Sequence, residues 1–314
     1  MTPSLEAVGL TKRFGSFTAL DHLSLKLEGA KCVGFLGPNG AGKTTALKMF
    51  TDLIFPSEGE AFINGISVQK DRKRALAPCG DLIETPEIYT SLTPREALEL
   101  SGAVRGMRPD EIASRTETVL AEVKMSDWVD LKVGRFSKGM KQRVNIAASL
   151  LSDPEVVILD EPSTGLDPRG MAEVRNIVRS LKKENRLIFM SSHILSEVVD
   201  VCDEVALIDH GKLLFYDTLS NVSKRLTRSA TSVELAFLGP ISDETLSSQV
   251  ASIPGVSGLS RVDAQRARVM ITGGAEAQSQ VLERLASAHV GLVSFEPSQS
   301  ALEELYLQEI SKGD

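Results

Sequence analysis

The sequence predicts an α/β fold followed by a small α+β domain. Short apolar runs, typical of buried strands, alternate with helical stretches over roughly the first 220 residues. Beyond that point the pattern changes to short alternating strands and a helical stretch. The chain has 314 residues, and because one domain usually has roughly 100–200 residues, we expect two domains. Their predicted limits are 1–222 and 231–314.

Composition and charge exclude several classes of protein. Hydrophobic residues make up 42% and charged residues 25% of the sequence, which excludes disordered, collagen-like and coiled-coil proteins. The formal net charge of -7 provides no electrostatic footprint for nucleic acid, so no nucleic-acid partner is expected. No segment approaches the roughly 20 apolar residues that span a membrane, and Met1–Leu10 lacks a secretory-signal pattern. The three cysteines are expected to be buried thiols in a reducing cytoplasm.

The first elements are a pair of strands and then a strand, a glycine-rich loop and a helix. Residues 4–36 alternate in the manner of strands, with a turn at Gly15-Ser16. Cys32–Leu36 is a short apolar run that predicts a buried strand, and it leads directly into the glycine-rich segment 37–42. Apolar residues at helical spacing then predict a helix over Thr44–Leu53.

Helices are predicted in the middle of the chain, and buried strands follow them. Pro94 opens one helix, and two more are predicted over Glu111–Lys124 and Lys141–Leu151. Three later apolar runs are typical of strands buried on both faces of a parallel sheet. These runs are Val156–Leu159, Leu187–Met190 and Val205–Ile208.

The predicted C-terminal domain has a different pattern of polar and apolar residues. The polar and basic stretch 220–232 separates it from the rest of the chain. Alternation predicts strands over Ser232–Phe237 and Ala267–Ile271. Helical spacing predicts a helix over Gln278–Ala288 and a terminal amphipathic helix over Leu302–Ile310.

The glycine-rich segment matches the pattern G-x-x-x-x-G-K-[ST] of a phosphate-binding P-loop. In such a loop the glycines let main-chain N–H groups surround the β-phosphate, and the positive end of the next helix points at the anion. Lys43 is predicted to reach the β- and γ-phosphates, and the Thr44 hydroxyl to ligate Mg²⁺. The predicted ATP-binding residues here are Gly37, Pro38, Asn39, Gly40, Ala41, Gly42, Lys43, Thr44 and Thr45.

Two carboxylates follow the buried run Val156–Leu159, at the strand end where open α/β sheets bind ligands. Asp160 suits a direct or indirect role in holding Mg²⁺. Glu161 is predicted to orient and polarise the water that attacks the γ-phosphate. An apolar run followed by two acids is common by itself, but the upstream P-loop favours this interpretation.

The segment Phe136–Arg143 opens a predicted helix between these two motifs. It resembles the signature sequence of ATP-binding cassette (ABC) ATPases, usually written LSGGQ. Lys138 replaces a glycine and Met140-Lys141 also departs from the family pattern, but Ser137 and Gly139 are kept. The resemblance implies that these two residues meet the γ-phosphate, whereas in isolation a Ser-x-Gly helix start indicates only an N-cap.

Three further segments resemble motifs of the same family, in the family's order. Pro162–Asp167 looks like the D-loop, so Asp167 is added to the predicted ATP-binding residues. His193 looks like the switch histidine and is, with Glu161, a predicted catalytic residue. Phe14 stands where family members have an aromatic that stacks on adenine. The alternative for His193 is a histidine at a strand end that contacts no ligand. The alternative for Phe14 is a half-buried residue of a strand.

The resemblance covers residues 4–220 and implies a fold and a dimer. The implied fold is α/β: a P-loop NTPase core with an antiparallel β subdomain and a helical subdomain at about 86–150. Two such domains are expected to form a head-to-tail homodimer with two-fold symmetry. Each ATP, with Mg²⁺, is expected to lie between the P-loop of one subunit and Ser137 and Gly139 of the other.

The resemblance also implies a membrane partner. The protein is expected to be peripheral, on the cytoplasmic face of the membrane, docked to a separate membrane-spanning permease subunit. Thr85–Pro94 and the helical residues 95–130 are expected to receive that subunit. Tyr89 and Leu92 are candidate contacts, or else they pack within the helical subdomain.

Glu84 marks a departure from the common family pattern. Aligned by Leu82-Ile83, it takes the place in which the family normally has Gln. This resembles the "E-loop" variant of bacterial lantibiotic-immunity and peptide-antibiotic exporters. Glu can still ligate Mg²⁺ through oxygen, so Glu84 is a predicted metal ligand with Thr44 and Asp160. The alternative is that Gln69 or another residue fills this place.

The C-terminal segment Ser300–Leu307 looks like the "LEExFL" helix of drug- and polyketide-export ABC ATPases. The leading hypothesis is therefore the ATP-hydrolysing subunit of an ABC transporter, with export favoured. One alternative is a soluble ABC-type ATPase in DNA repair or ribosome-associated work, which usually has two cassettes or a long coiled-coil insertion. A second alternative is a cassette that binds ATP without hydrolysing it. The presence of both Glu161 and His193 argues against this alternative.

Overall fold

The computed structural model describes residues 2–84, 87–182, 185–222, 231–250, 253, 255–272 and 274–297. The chain divides into two compact units, Met1–Asp217 and Thr218–Asp314. That residues 1–222 and 231–314 fold independently remains a prediction from the sequence.

The first unit contains ten strands and seven helices in its described residues. The strands are β1 (Ser4–Phe14), β2 (Phe17–Glu28), β3 (Lys31–Leu36), β4 (Glu58–Ile63), β5 (Ile66–Ser67), β6 (Cys79–Leu82), β7 (Val156–Leu159), β8 (Leu187–Ser192), β9 (Glu204–Asp209) and β10 (Lys212–Thr218). The helices are α1 (Lys43–Phe50), α2 (Arg72–Leu76), α3 (Pro94–Arg105), α4 (Pro109–Glu122), α5 (Lys138–Leu150), α6 (Pro168–Leu181) and α7 (Leu195–Val201). Two 3₁₀ turns, Ser126–Trp128 and Val133–Arg135, lie between α4 and α5.

Two sheets form the first unit. One has the order β2-β1-β4-β5 and is antiparallel. The other has the order β10-β9-β3-β8-β7-β6, and the pairs from β9 to β6 are parallel. Every residue of β7 is buried, as expected for a strand covered on both faces. The predicted α/β fold is confirmed, and the parallel strands end together at the edge where β3 and β7 meet the predicted phosphate-binding motifs.

Two predicted helices end earlier than their apolar spacing suggests. The helix predicted to reach Leu53 ends at Phe50, and the helix predicted to reach Lys124 ends at Glu122. In both cases a residue with positive φ follows, Asp52 at 57° and Lys124 at 57°. A left-handed residue cannot continue a right-handed helix, and apolar spacing does not report backbone dihedrals.

In the residues described from 231 onwards, the second unit has the element order β-α-β-β-α-β. Its elements are β11 (Thr231–Phe237), α8 (Asp243–Val250), β12 (Val256–Arg261), β13 (Arg266–Ile271), α9 (Gly274–Ser287) and β14 (Leu292–Pro297). The antiparallel sheet has the order β12-β13-β11-β14, which is the split arrangement of ferredoxin-like domains. The elements α8, β12 and β14 were not predicted from the sequence. The predicted terminal helix over Leu302–Ile310 lies outside the described residues.

Each unit has its own apolar core. One cluster joins buried residues from Leu5 to Ile208, and a separate cluster joins buried residues from Val233 to Leu285. All three cysteines are buried and free, as expected. In the described part of the chain, no helix is long and apolar enough to cross a membrane.

Candidate nucleotide-binding site

The loop between β3 and α1 is built on glycines that no other residue could replace without strain. Gly40 and Gly42 have φ of 85° and 103°, in the left-handed region that favours glycine. A Cβ on Gly37 would lie 2.2 Å from the carbonyl oxygen of Ile208, and one on Gly42 would lie 2.5 Å from that of Ala19. The loop therefore lies directly against β9 and β2, and its position is set by backbone contacts.

Lys43 is held across the loop. Its side chain is only 4% exposed, and its ammonium donates to the carbonyl oxygens of Gly37 at 2.8 Å and Pro38 at 3.0 Å. The same nitrogen lies 3.4 Å from a carboxylate oxygen of Glu161. Buried charges need such partners, and these three oxygens hold the ammonium between the loop and the end of β7. Ala41 completes the loop by donating its N–H to Pro38 at 3.2 Å.

Asp160 and Thr44 form a cluster of oxygen atoms at the end of β7. The Thr44 hydroxyl donates to Oδ1 of Asp160 at 3.2 Å, and the Ser191 hydroxyl donates to the same oxygen at 2.6 Å. Oxygen donors are the ligands that Mg²⁺ prefers, and it is usually bound by one or two carboxylates together with substrate phosphates. Among the described residues, no group of three or more His, Cys, Asp or Glu side chains could hold a metal ion alone. The cluster therefore fits a cation that shares its coordination with a phosphate chain.

Glu161 is the residue on which the remaining polar contacts converge. The Thr164 hydroxyl donates to Oε2 at 2.8 Å, and Nδ1 of His193 lies 2.9 Å from the same oxygen. Burial alone would raise the pKa of the Glu161 carboxyl, but the Thr164 hydrogen bond and the charges of Lys43 and His193 lower this pKa below its ordinary value. Glu161 is therefore an ionised carboxylate at neutral pH and is suited to accept a hydrogen bond from water.

An open cavity of about 300 Å³ lies against the loop. Its lining residues divide into polar and charged side chains, Glu161 included, and aromatic or small apolar side chains. Phe14, predicted to contact a base, is 52% exposed and lines this cavity. The lining residues are Phe14, Phe17, Ala19, Asn39, Gly40, Gly42, Lys43, Thr44, Thr45 and Glu161. A phosphate chain on the loop and a flat ring on the aromatic side chains would fit this division.

Six predicted ATP-binding residues do not line this cavity: Gly37, Pro38 and Ala41, which belong to the loop itself, and three residues at helix starts further along the chain. Ser137 and Asp167 are the N-caps of α5 and α6, where their side chains accept from the N–H groups of Met140 at 3.2 Å and Gly170 at 3.0 Å. A Cβ on Gly139 would lie 3.5 Å from the Cα of Gly170, so the starts of the two helices are in contact. None of the three is among the residues that line the cavity.

Glu84, a predicted metal ligand, has a different partner. Its exposed carboxylate pairs with Nζ of Lys48 on α1 at 2.5 Å, and its φ is 57°. The alternative candidate, Gln69, accepts from the N–H of Ala61 on β4 at 2.9 Å and donates to the carbonyl of Met49 at 3.5 Å. Neither residue lines the cavity.

Three residues of the site were not predicted from the sequence. Ser191 and Thr164 contact Asp160 and Glu161, and Phe17 lines the cavity beside Phe14. Ser191 and Thr164 lie inside segments that resemble family motifs, so the sequence could have indicated their hydroxyl groups as members of the site. Phe17 lay in a strand pattern that did not distinguish it from other apolar residues.

Comparison with protein families and curated proteins gives matches over most of the chain. The profile of the ABC transporter family matches residues 20–164. The bacitracin transport ATP-binding protein BcrA of Bacillus licheniformis is 41% identical over 226 residues, 72% of this chain and 73% of that protein. The linearmycin resistance ATP-binding protein LnrL of Bacillus subtilis (strain 168) is 29% identical over 306 residues, 96% of this chain and 97% of that protein. The similarity to LnrL therefore extends through the C-terminal unit.

Solved structures match about two thirds of the chain in fold. A structure of the ATP binding subunit of an ABC transporter has a TM-score of 0.63 at 28% identity, covering 71% of this chain and 92% of that one. A dimeric post-hydrolysis state of the cassette MJ0796 bound to ADP and Pi has a TM-score of 0.61 at 22% identity, covering 68% of this chain and 98% of that one. At that identity the second comparison supports the fold alone. The predicted P-loop α/β core is confirmed.

Proposed function

The chain belongs to the ATP-binding proteins of ABC transporters and is an ATPase, and from this premise we propose that it powers an exporter. In this proposal it drives a separate membrane-spanning subunit by closing and reopening a homodimer at the cytoplasmic face of the membrane. Export is favoured because BcrA is named for bacitracin transport and LnrL for linearmycin resistance. An antimicrobial compound is accordingly the proposed class of cargo.

The observation that carries the catalytic part of the proposal is the environment of Glu161. Glu161 lines the cavity, and its carboxylate lies 3.4 Å from the Lys43 ammonium and 2.9 Å from Nδ1 of His193. An ionised carboxylate in this place can accept a hydrogen bond from a water molecule and orient the oxygen of that water towards a γ-phosphate. We assign Glu161 as the residue that polarises water and His193 as the residue that holds this carboxylate and contacts the γ-phosphate.

The loop residues have the complementary task of binding the phosphates. The main-chain N–H groups of 37–45 and the N-terminus of α1 provide positive potential, and Lys43 adds a full charge. Thr44 and Asp160 would hold Mg²⁺, with Glu84 reaching it after leaving Lys48. When bound, Mg²⁺ supplies charge neutralisation of the phosphate oxygens. Holding the γ-phosphate in line with the oriented water is the contribution of the side chains themselves.

Ser137, Gly139 and Asp167 would act on the partner's nucleotide. They lie at the starts of α5 and α6, where N–H groups and the positive helix ends favour an anion. In a head-to-tail homodimer these helix starts would close over the ATP bound to the other subunit's loop. Hydrolysis would then remove the γ-phosphate that joins the two surfaces, and the dimer would reopen.

A second cavity supports the proposed docking of the membrane subunit. It has a volume of about 300 Å³ and lies between the end of β6, α3 and α5. Tyr89 and Leu92, predicted as contacts, both line it, and Tyr89 is largely exposed. Arg105 lies 3.7 Å from Asp81 at one wall, and burial raises the pKa of the Asp81 carboxyl. A groove lined by both apolar and polar side chains, with an ion pair at one wall, is suited to a short amphipathic helix of a partner.

The proposal is tested by Glu161→Gln, because an amide cannot replace the carboxylate in polarising water. We expect ATP hydrolysis to fall by at least about 100-fold while ATP binding by calorimetry is retained, and the ATP-bound variant to accumulate as a dimer on size exclusion. Glu111→Gln, which removes an exposed carboxylate on α4, is the matched control and should behave as the unmodified chain. A Glu161→Gln variant that turns over normally would refute the catalytic assignment.

The export part of the proposal needs its own measurement. The chain should co-purify with a membrane protein of about six predicted spans when expressed with its neighbouring coding sequences. Cells carrying both should resist an antimicrobial compound, and the Glu161→Gln variant should abolish that resistance. ATPase activity that responds to DNA or ribosomes and not to any membrane protein would favour the soluble class instead.

A further inference from the structure

Two phenylalanines stand opposite each other at the end of the β1–β2 hairpin. Phe14 and Phe17 are the last register pair before the turn at residues 15–16. Residues directly opposite in an antiparallel pair project from the same face of a sheet. Phe14 is 52% and Phe17 63% exposed, and both line the cavity at the P-loop. Two large exposed apolar side chains on one face of one cavity are typical of a ligand contact.

The ring of Phe14 has a cation near one of its faces. Nζ of Lys12 lies 5.1 Å from the ring centroid, within the range of a cation–π contact, and the same nitrogen donates to the carbonyl of Phe55 at 2.7 Å. These contacts fix the side of the ring on which Lys12 lies. A ligand in the cavity would therefore stack on the other face of Phe14, and Phe17 is a second aromatic residue of the same lining.

The lining of the cavity combines two kinds of side chain. Lys43, Thr44, Thr45, Asn39 and Glu161 contribute charged and polar side chains. Phe14, Phe17 and Ala19 contribute side chains that have no hydrogen-bonding group. The two aromatic side chains can recognise a base by the area of its flat face but cannot read its edge.

We propose that Phe17 is a second aromatic contact for the nucleobase, and that Phe14 and Phe17 together select purine over pyrimidine nucleotides without distinguishing adenine from guanine. This inference rests on the proposed nucleotide site and adds to it a residue and a specificity. The larger ring system of a purine covers more of two phenyl groups than a pyrimidine does, so stacking favours ATP and GTP equally over CTP.

The test is nucleotide binding by the full-length chain, measured by calorimetry with ATP, GTP, CTP and inorganic tripolyphosphate. Phe17→Ala should weaken ATP and GTP binding by about 5- to 100-fold, the range that loss of one base–aromatic stack gives. Binding of tripolyphosphate, which has no base, should stay within about twofold. Phe17→Trp should restore ATP affinity because it keeps an aromatic face.

Phe55→Ala is the matched control. Phe55 is 65% exposed and does not line the cavity, and the substitution keeps the carbonyl that Lys12 contacts. The inference is overturned if Phe17→Ala binds ATP as Phe55→Ala does, or if it loses tripolyphosphate affinity to the same degree. Binding of ATP more than about tenfold tighter than GTP would overturn the claim of recognition by stacking alone.

These outcomes are separable from failure of the proposed function. Binding is measured without turnover, so a wrong assignment of Glu161 leaves it unchanged. Lys43→Ala should abolish binding of both ATP and tripolyphosphate, because it removes the charge that meets the phosphates. If Lys43→Ala retained both, the phosphate site itself would be wrong, whatever Phe17 does.

Discussion

At Glu161, a hydrogen bond and two neighbouring charges act against the cost of burial. The Thr164 hydroxyl, Lys43 and His193 all favour the ionised carboxylate and lower the pKa of Glu161, whereas desolvation raises it. A group with a lowered pKa is ionised above that value and loses its charge as the pH falls through it. The acidic limit of ATP hydrolysis should therefore follow this one carboxyl group.

Thr164→Val tests that balance. The substitution removes the hydroxyl that donates to Glu161 at 2.8 Å and leaves the burial in place, so the pKa of Glu161 should rise. We expect the acidic limb of the pH–rate profile of the isolated subunit to move to higher pH. Thr118→Val, which removes a hydroxyl bonded to the carbonyl of Ser114 on α4, is the control. An acidic limb that stays in place, or moves to lower pH, would contradict the argument.

Glu84→Gln tests the unusual residue of the loop that enters the helical region. The amide restores the common family residue and breaks the pair with Lys48. An exposed ion pair contributes little free energy, so ATP affinity should change by less than about tenfold, whereas hydrolysis or its coupling to the membrane subunit should change. The measurements are ATP affinity of the isolated subunit and resistance or transport in the assembled complex.

Lys48→Gln separates the two possible causes. It breaks the same pair but keeps the carboxylate of Glu84. A change in transport in Glu84→Gln and not in Lys48→Gln would assign the effect to the carboxylate. If Glu84→Gln matches the unmodified protein in both affinity and transport, Glu84 is an ordinary loop residue and its predicted role as a metal ligand is wrong.

At the scale of elements, the β3–loop–α1 unit depends on close backbone packing. Gly37→Ala would place a methyl group 2.2 Å from the carbonyl oxygen of Ile208 on β9. Because the obstacle is backbone, the loop or β9 must shift, at a cost of about 1–3 kcal/mol of unfolding free energy. We expect a lower melting temperature together with weaker ATP binding, since the shift moves the N–H groups that meet the phosphates.

Gly239→Ala provides the comparison for that variant. A Cβ there meets no atom within 4 Å, so stability and ATP binding should be unchanged. Calorimetric melting and ATP titration of the two variants side by side make the comparison. A Gly37→Ala protein that melts and binds ATP like the unmodified chain would show that the loop tolerates a side chain.

At the scale of the whole molecule, the two apolar cores share no residue. One lies within residues 5–208 and the other within 233–285, and every predicted nucleotide-binding residue precedes residue 194. Deletion of 231–314 should therefore leave a folded cassette that binds ATP with unchanged affinity. Circular dichroism, thermal melting and ATP titration of the truncated chain are the measurements.

The result of the truncation decides the role of the C-terminal unit. Loss of transport with intact ATP binding would indicate an interaction role for 231–314. Misfolding of the truncated chain would show that this segment belongs to the core and that the predicted domain limits are wrong. The similarity to LnrL over 96% of the chain indicates that the two units occur together in a relative.

The sequence by itself determined the fold class and the order of the nucleotide motifs. Buried parallel strands are continuous apolar runs, and a P-loop needs glycine and lysine at fixed spacing, so both are local patterns that survive without tertiary information. Glu161, Lys43, Thr44 and Asp160 could be named for the same reason, since each stands directly at the end of a recognisable strand or loop.

Only the tertiary structure decided which side chains meet. Ser191 is brought to Asp160 because β7 and β8 are adjacent in the sheet, and Phe17 is brought to the loop by the fold of the hairpin. The partner of Glu84 is likewise a residue 36 positions away. Hydrogen bonds, ion pairs and cavity walls are contacts across space, and residue spacing along one chain carries no record of the distance between strands that are far apart in sequence.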